Sequence, residues 1–446
     1  MQAIESVLQQ ISNVLWGWPL IILLVGTHIF LTFRLKFIQR YLIRAIKISF
    51  SRKSEGAGDI SHFGALTTAL AATVGTGNIV GVATAIAAGG PGAILWMWLT
   101  GVFGISTKYA EALLSLKYRI TNKDGSMAGG PMYVLERGMN ARWLGLIFAA
   151  LTAVAAFGIG NTVQANSIAS LVQETFNISP WMTGLTLTVI TAVVILGGIK
   201  SIAGVCQRLV PFMAAFYMLG CLLLLIMHYE TIPATFKLIF QSAFSGHAVI
   251  GGFLGAGMKE AVRYGIARGL FSNESGMGSA PIVAAAAQTR NAVRQALVSS
   301  TGTFWDTVVI CAMTGLVLVN SGQWVHGYNG AALTKAAFSD LTFVGPVFLS
   351  IGLLTFVFST ILGWSYYGEK AAEYLAGPRA VMPYRFLWVG AVMLGSVMSL
   401  PAVWTFADIA NGLMAIPNLI SLLFLNKIIV SETKQFLWEG SPDDPT

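Results

Sequence analysis

The sequence predicts an all-α membrane protein of eleven transmembrane helices: one extra N-terminal helix, then a five-plus-five inverted repeat in which two helices are unwound at mid-depth. Three observations predict it. Over half of the 446 residues are hydrophobic and only 10% are charged, a balance no water-soluble core of this size requires. Apolar stretches long enough to span a bilayer recur along the chain and are separated by short polar loops. Two of them, 63–88 and 262–289, are interrupted near the middle by glycine-rich polar runs, Thr73-Val74-Gly75-Thr76-Gly77-Asn78 and Phe271-Ser272-Asn273-Glu274-Ser275-Gly276-Met277-Gly278.

The first span runs from about Val14 to Phe33. Met1 to Asn13 carry Glu5 and no Lys or Arg, so the basic start of a cleavable signal is missing and the span is expected to stay in the mature protein. Arg34, Lys36, Arg40, Arg44, Lys47, Arg52 and Lys53 follow within twenty residues and mark a cytoplasmic loop, which places the N-terminus outside. Within 36–53 apolar residues alternate with these cations at near-helical spacing, as in an amphipathic helix on the anionic inner leaflet or in a solvated basic loop. The remaining spans lie near 63–88, 92–116, 144–173, 181–199, 209–228, 262–289, 295–319, 345–375, 385–400 and 404–426, which leaves the C-terminus inside. The order agrees with charge: the predicted inner loops hold 21 of the 27 Lys and Arg, the outer loops only Lys237 and Lys335. Segments 229–261 and 320–343 read as structured outer loops, with Trp324, His326 and Tyr328 as interfacial or gate residues.

Five units follow: an N-terminal helix with its basic segment (1–62), a first five-helix repeat (63–228), an outer connecting loop (229–261), a second repeat of opposite orientation (262–430) and a cytoplasmic tail (431–446). Forty-eight glycines, about 11% of the chain against a usual roughly 7%, suit close packing of helices in lipid.

Composition and motifs also exclude functions. The net charge of +8 resides in loops and is no nucleic-acid footprint. Cys206, Cys221 and Cys311 are isolated in apolar spans, so neither a disulfide framework nor a metal cluster is expected. The five histidines are scattered without a zinc-binding pattern, GTGNIVG has its third glycine one residue late for a dinucleotide loop, and GGIKS lacks the Gly-Lys of a phosphate loop. A membrane enzyme and a nucleotide-driven pump are both disfavoured, and a channel would conduct without coupling.

The interrupted helices carry the positive evidence. Hydrocarbon offers no water to an opened backbone, so each unpaired N–H or C=O costs several kcal/mol unless something bonds it. Paired interruptions in corresponding positions of two halves point to the midplane site of a secondary transporter.

The run Gly89-Gly90-Pro91-Gly92-Ala93-Ile94-Leu95-Trp96-Met97-Trp98 resembles the signature of the alanine or glycine:cation symporter family, with Leu95 where members more often carry Phe. The resemblance covers nearly the whole chain. It implies a bacterial inner-membrane carrier with the fold of the sodium-coupled leucine transporter, coupling sodium, or in some members protons, to uptake of alanine or glycine. No resident cofactor is implied, only sodium as the coupling ion, and the oligomeric state is not specified.

A zwitterionic amino acid needs donors for its carboxylate and acceptors for its ammonium, and half-helix ends supply both. The expected substrate-binding residues are Thr73, Thr76, Gly77 and Asn78 on the first interruption and Phe271, Ser272 and Gly276 on the second. The N–H groups of Thr76, Gly77 and Asn78 would face the carboxylate, and the carbonyls of Thr73 and Phe271 the ammonium. Phe271 stands in the place of an aromatic lid, and Glu274 stands where the leucine transporter has a small hydroxyl. Gln164 and Trp364 are the expected pocket walls. By resemblance to the fold's second sodium site, Ser359 and Thr360 would join the carbonyls of Ala71 and Val74; spacing alone favours hydroxyls that bond their own backbone. Asp306 is a further cation ligand or gate. Glu111 is expected to pair with Lys108 one turn away, and Glu274 to accept from an opened N–H or to pair with Lys108 or Arg268.

Overall fold

The computed structural model describes residues 2–51, 56–244, 257–341, 344–398 and 401–444, and among these the protein is almost entirely helical. Helices α1 (Gln2–Leu15) and α2 (Trp18–Arg34) meet at a tight turn, and Pro19 lies in the first turn of α2, where a missing N–H costs nothing. Then come the short α3 (Leu42–Ser49), the pair α4 (His62–Thr73) and α5 (Val82–Gly89), and the long α6 (Ala93–Lys117). A two-stranded hairpin, β1 (Ile120–Thr121) with β2 (Met127–Ala128), leads through α7 (Pro131–Tyr133) to α8 (Arg142–Phe157) and α9 (Val163–Phe176), which a π turn joins into one rod. Next are α10 (Pro180–Ile195), α11 (Gly198–Met227) and α12 (Ile232–Phe244). The second half holds α13 (Met258–Asn273), α14 (Pro281–Ala284), then α15 (Ala292–Thr303) and α16 (Ala312–Asn320) joined by a π segment, followed by α17 (Gly330–Phe338), α18 (Val344–Ala376), α19 (Val381–Val397), α20 (Pro401–Phe424) and α21 (Asn426–Thr433).

Among the described residues seven helices are long and apolar enough to cross a membrane, eight if α4 and α5, bent by 54° at their break, count as one. The molecule is a multi-pass membrane protein. The residues 229–261, read from sequence as a loop, contain α12, and 245–256 lie outside the described residues. The helix α1 precedes the expected first span and seals against α20, where the Trp16 indole donates to the Asp408 carbonyl at 3.1 Å and Ser12 to its carboxylate at 3.2 Å. Trp324 is buried, and His326 meets Tyr328 edge to face.

The core is built around α6, which packs against α2, α13 and α15. Its residues from Gly104 to Leu116 are all buried. On the outside, α10 and α19 pack on each other and expose Leu185, Val193, Phe386 and Leu387, as surfaces facing lipid tails do.

The two interrupted helices run in opposite directions. The strand entering α4 is stitched to the chain leaving the second interruption: Asp59 N and Ile60 N donate to Ala286 O at 2.7 and 3.1 Å, and Gln288 N returns a bond to Ile60 O at 2.8 Å. Arg119 clamps the seam, with one guanidinium nitrogen on the carbonyls of Ala285 and Ala287 and the other on that of Ala57.

Small residues let these helices approach. A Cβ on Gly265 of α13 would overlap the Ala93 carbonyl oxygen and come within 2.9 Å of the Trp96 Cβ, whereas Gly26 on α2 has open space around it. Gly265→Val is therefore expected to destabilise the fold by at least about 1–3 kcal/mol. A thermal melt of the detergent-solubilised protein should show a lower midpoint for Gly265→Val and an unchanged or higher one for Gly26→Ala; equal midpoints would refute this packing.

Candidate functional site

The first interruption is narrow. Helix α4 ends at Thr73, the chain opens at Val74 and Gly75, and winding resumes as a π turn over Gly77–Gly81. Asn78 closes this opening on itself: its side-chain oxygen accepts from Gly75 N at 2.9 Å, and its own N–H reaches Gly75 O at 3.3 Å. The Asn78 N–H expected to face a ligand is thus already engaged, while those of Thr76 and Gly77 begin the new helix, where first-turn donors have no partner within it.

The second interruption begins three residues later than the sequence suggests. Phe271 and Ser272 lie in the last turn of α13, which ends as Glu274 N bonds Leu270 O at 2.9 Å. The opened stretch is Glu274 to Ala280, with Glu274, Gly276 and Gly278 all at positive φ (55°, 91° and 84°). Glycine suits the last two positions, but Glu274 is held in a conformation that side chains rarely adopt. Its carboxylate accepts from Ser279 Oγ and, at 3.1 Å, from the Trp364 indole, so it reaches across its own opening and ties it to α18.

Asp306 joins the two interruptions. It is fully buried in the π segment after α15. Its carboxylate accepts from Asn78 Nδ2 at 2.7 Å, from Ser272 Oγ at 2.8 Å and from Thr307 Oγ at 2.7 Å, and Asn273 Nδ2 extends the network to Thr307 at 3.1 Å. Gly77 faces the end of α13 directly, since a Cβ there would lie 3.3 Å from Ser272 Cα and 3.6 Å from the Phe271 ring. Thr76, Gly77, Asn78, Phe271 and Ser272 therefore share one neighbourhood. Gly276 lies deeper in the opened stretch, against Leu24, Leu419 and His28.

On the other side of the first opening the four expected ion ligands come together. Ser359 Oγ lies 3.1 Å from Ala71 O, and Thr360 Oγ lies 3.4 Å from Val74 O. Each hydroxyl has a second acceptor in Phe356 O, at 2.8 and 3.1 Å, so the backbone bonding that spacing alone suggests is also present. Gly75 is required beside them, because a Cβ there would lie 2.5 Å from Thr360 Oγ.

Other expectations are corrected. Lys108 and Glu111 form no ion pair: the Lys108 ammonium is buried without a hydrogen-bond partner, and Glu111 turns instead to the second opening. There it accepts from Gly278 N at 3.0 Å and from Asn418 Nδ2 at 2.6 Å, while Asn418 also donates to Gly276 O at 2.8 Å. Gln164 donates to Ile159 O within its own rod and keeps a buried oxygen without a partner, so it is not tied to either interruption. The Trp364 ring packs against Gly160 in the π turn of that rod.

The pattern of the sodium:alanine symporter family matches residues 1–443. The chain belongs to that family. It is 51% identical over 442 residues to the sodium/alanine symporter AgcS of Methanococcus maripaludis, covering 97% of each protein. It is 52% identical over 438 residues to an uncharacterized transporter of Haemophilus influenzae, covering 97% of this chain and 96% of that one. Among solved structures it is similar to a mutant manganese transporter of Eremococcus coleocola, with a TM-score of 0.55 at 12% identity over 86% of this chain and 81% of that one, a likeness of the leucine-transporter type of fold.

For this symporter family member, Asn418 is the site-supporting residue that sequence reading passes over. A signal existed in an asparagine beside Pro417 within a largely apolar span, but nothing local says what it bonds. Removing Glu111 tests the support it gives. Glu111→Ala leaves the Gly278 N–H and one of the two Asn418 amide N–H groups buried without an acceptor, at about 1–3 kcal/mol for each, and Glu111→Gln keeps one acceptor and should lose less. Chemical unfolding in detergent should rank wild type above Glu111→Gln above Glu111→Ala; an unshifted midpoint for Glu111→Ala would contradict the role.

Proposed function

We propose that this symporter takes up a small neutral amino acid, alanine or glycine, with sodium as the coupling ion, by alternating access. The observation that carries the reading is the meeting of two oppositely directed, opened helices at Asp306, with a cluster of hydroxyl and carbonyl oxygens beside the first opening. The N–H groups of Thr76 and Gly77 take the substrate carboxylate, carbonyls near Thr73 and the end of α13 take the ammonium, and Phe271 covers the pocket. Trp364 limits the side chain to a small one. Gln164 stays a candidate wall only through the packing of α9 on α18.

Sodium binds among Ala71 O, Val74 O, Ser359 and Thr360. Each hydroxyl swings its proton wholly to Phe356 O and turns its lone pairs to the ion. Electrostatics support a cation: the buried carboxyls Glu111, Glu274 and Asp306 outnumber the one buried ammonium, Lys108, around the two openings. One sodium ion crossing about 100 mV releases roughly 2.3 kcal/mol, close to fifty-fold accumulation. No resident cofactor and no enzymatic step belong to this mechanism.

The architecture proposed with it is eleven spans, a first helix followed by repeats at 63–228 and 262–430, in a bacterial inner membrane with the N-terminus outside. The basic residues at the seam, Arg119, Arg290 and Arg294, support a cytoplasmic seam.

Purified protein in liposomes should accumulate labelled alanine or glycine under an inward sodium gradient, and preloaded unlabelled substrate should accelerate entry. Uptake driven by a proton gradient and indifferent to sodium would favour the proton-coupled alternative; leak without counterflow would favour a channel. Gly77→Leu should abolish substrate binding while the protein stays folded in the membrane. Ser359→Ala with Thr360→Ala should raise the sodium concentration for half-maximal uptake tenfold or more, and unchanged sodium activation would overturn the ion placement.

A further inference from the structure

A short basic helix and a long apolar groove meet on the face of the molecule that carries the seam. Helix α3 presents Arg44 and Lys47, both exposed, towards the start of α15, against which it packs. Together with Arg290 and Arg294 they line a cavity of about 570 Å³ in which four cations face one carboxylate, Asp443. That carboxylate already pairs with Arg294, and the Asp443 carbonyl takes a bond from Arg290 at 2.9 Å. Arg44 reaches Ser441 Oγ at only 3.3 Å, a neutral partner. Among the described residues that line the cavity, cations outnumber carboxylates four to one.

Phe50, at the end of the same helix, lines a second cavity of about 300 Å³. Its walls are almost wholly apolar: Phe63, Leu66 and Leu70 of α4 on one side, Ala214 of α11 and Trp305 on the other. It extends along α4 as far as Val74. From Phe63 to Val74 the helix rises about 16 Å, which matches the roughly 15 Å of hydrocarbon in one leaflet. Ile48 and Ser51 of the first cavity and Phe50 of the second are chain neighbours at the end of α3, and the rod that starts with α15 runs from Arg294 in the first to Trp305 in the second.

We propose that the two cavities form one site for an anionic phospholipid of the adjacent leaflet. Its phosphate lies among Arg44, Lys47, Arg290 and Arg294, and one acyl chain lies along α4. Guanidinium groups suit a phosphate in shape as well as charge. A groove of this kind in a membrane fills with some acyl chain in any case, so the selective part of the site is the basic cavity. The chain's end reaches Val74, whose carbonyl bonds Thr360, so the lipid braces the helix that opens at the first interruption. The site follows from the membrane fold alone and does not depend on which solute is carried.

The test uses the full-length protein in detergent, incubated with phosphatidylglycerol or phosphatidylcholine of identical chains, with retained lipid counted by native mass spectrometry. Phosphatidylglycerol should be retained about tenfold or more over phosphatidylcholine. Arg44→Gln with Lys47→Gln, both at exposed positions, should bring the two lipids near parity without changing the thermal midpoint. Ala214→Trp, which fills the groove, should lower phosphatidylglycerol retention while both cations remain. Equal retention of the two lipids by the unaltered protein, or no effect of the double substitution, would overturn the proposal. Complete displacement of phosphatidylglycerol by millimolar inorganic phosphate would overturn it too, since an ion site without a chain would then suffice.

Discussion

Backbone opened inside a membrane must find partners within the protein, and this constraint organises the whole centre of the molecule. Each opening has been given its own buried side chains for the purpose. Asn78 folds back on Gly75 at the first, and Glu274, Glu111 and Asn418 gather the loose ends of the second. A partnered opening is a stable feature of the fold and does not need cargo to hold it together. That matters for a carrier, which must survive empty half of the time. What remains for a ligand is a small remainder of donors and acceptors at the meeting of Gly77 with Ser272, beside the network that Asp306 ties together.

The charges around these openings carry a second consequence. Removing one partner from a buried polar network costs more than the network contributes when whole, because the survivor is left desolvated. Glu111, Glu274 and Asp306 each accept at least two hydrogen bonds, whereas Lys108 has none. Lys108 is thus buried on α6 without being fixed to any of the three carboxyls. His28 of α2 bonds Thr107, the residue before it, at 2.7 Å.

Much of this was legible in the sequence because membrane segments obey a simple code of length, apolarity and flanking charge. The interrupted segments were legible as well, since Gly-Thr-Gly-Asn and Asn-Glu-Ser-Gly-Met-Gly have no reason to sit in apolar runs unless the chain opens there. The convergence of Ala71, Val74, Ser359 and Thr360 was anticipated through family resemblance; spacing alone favoured the hydroxyl-to-backbone bonds, and the structure contains both. Partner choice was not legible. Lys108 and Glu111 are one turn apart and of opposite charge, yet the carboxylate serves an amide 167 residues away, a partner that the fold and not the spacing brings within reach. The second opening was placed early for a related reason. Polar Ser272 and Asn273 look like loop, but both side chains bond the Asp306–Thr307 pair while their backbone stays helical.

The seam gives the opposed helices a common mechanical reference. Ile60 donates to Ala286 and accepts from Gln288, and Arg119 binds carbonyls on both sides, so the start of one interrupted helix is tied to the end of the other. At the breaks the chain changes direction: α5 departs from α4 at 54°, and α13 passes into its opening through Glu274 in a left-handed conformation. Both changes of direction thus fall at the openings, beside the Asp306 network that joins them.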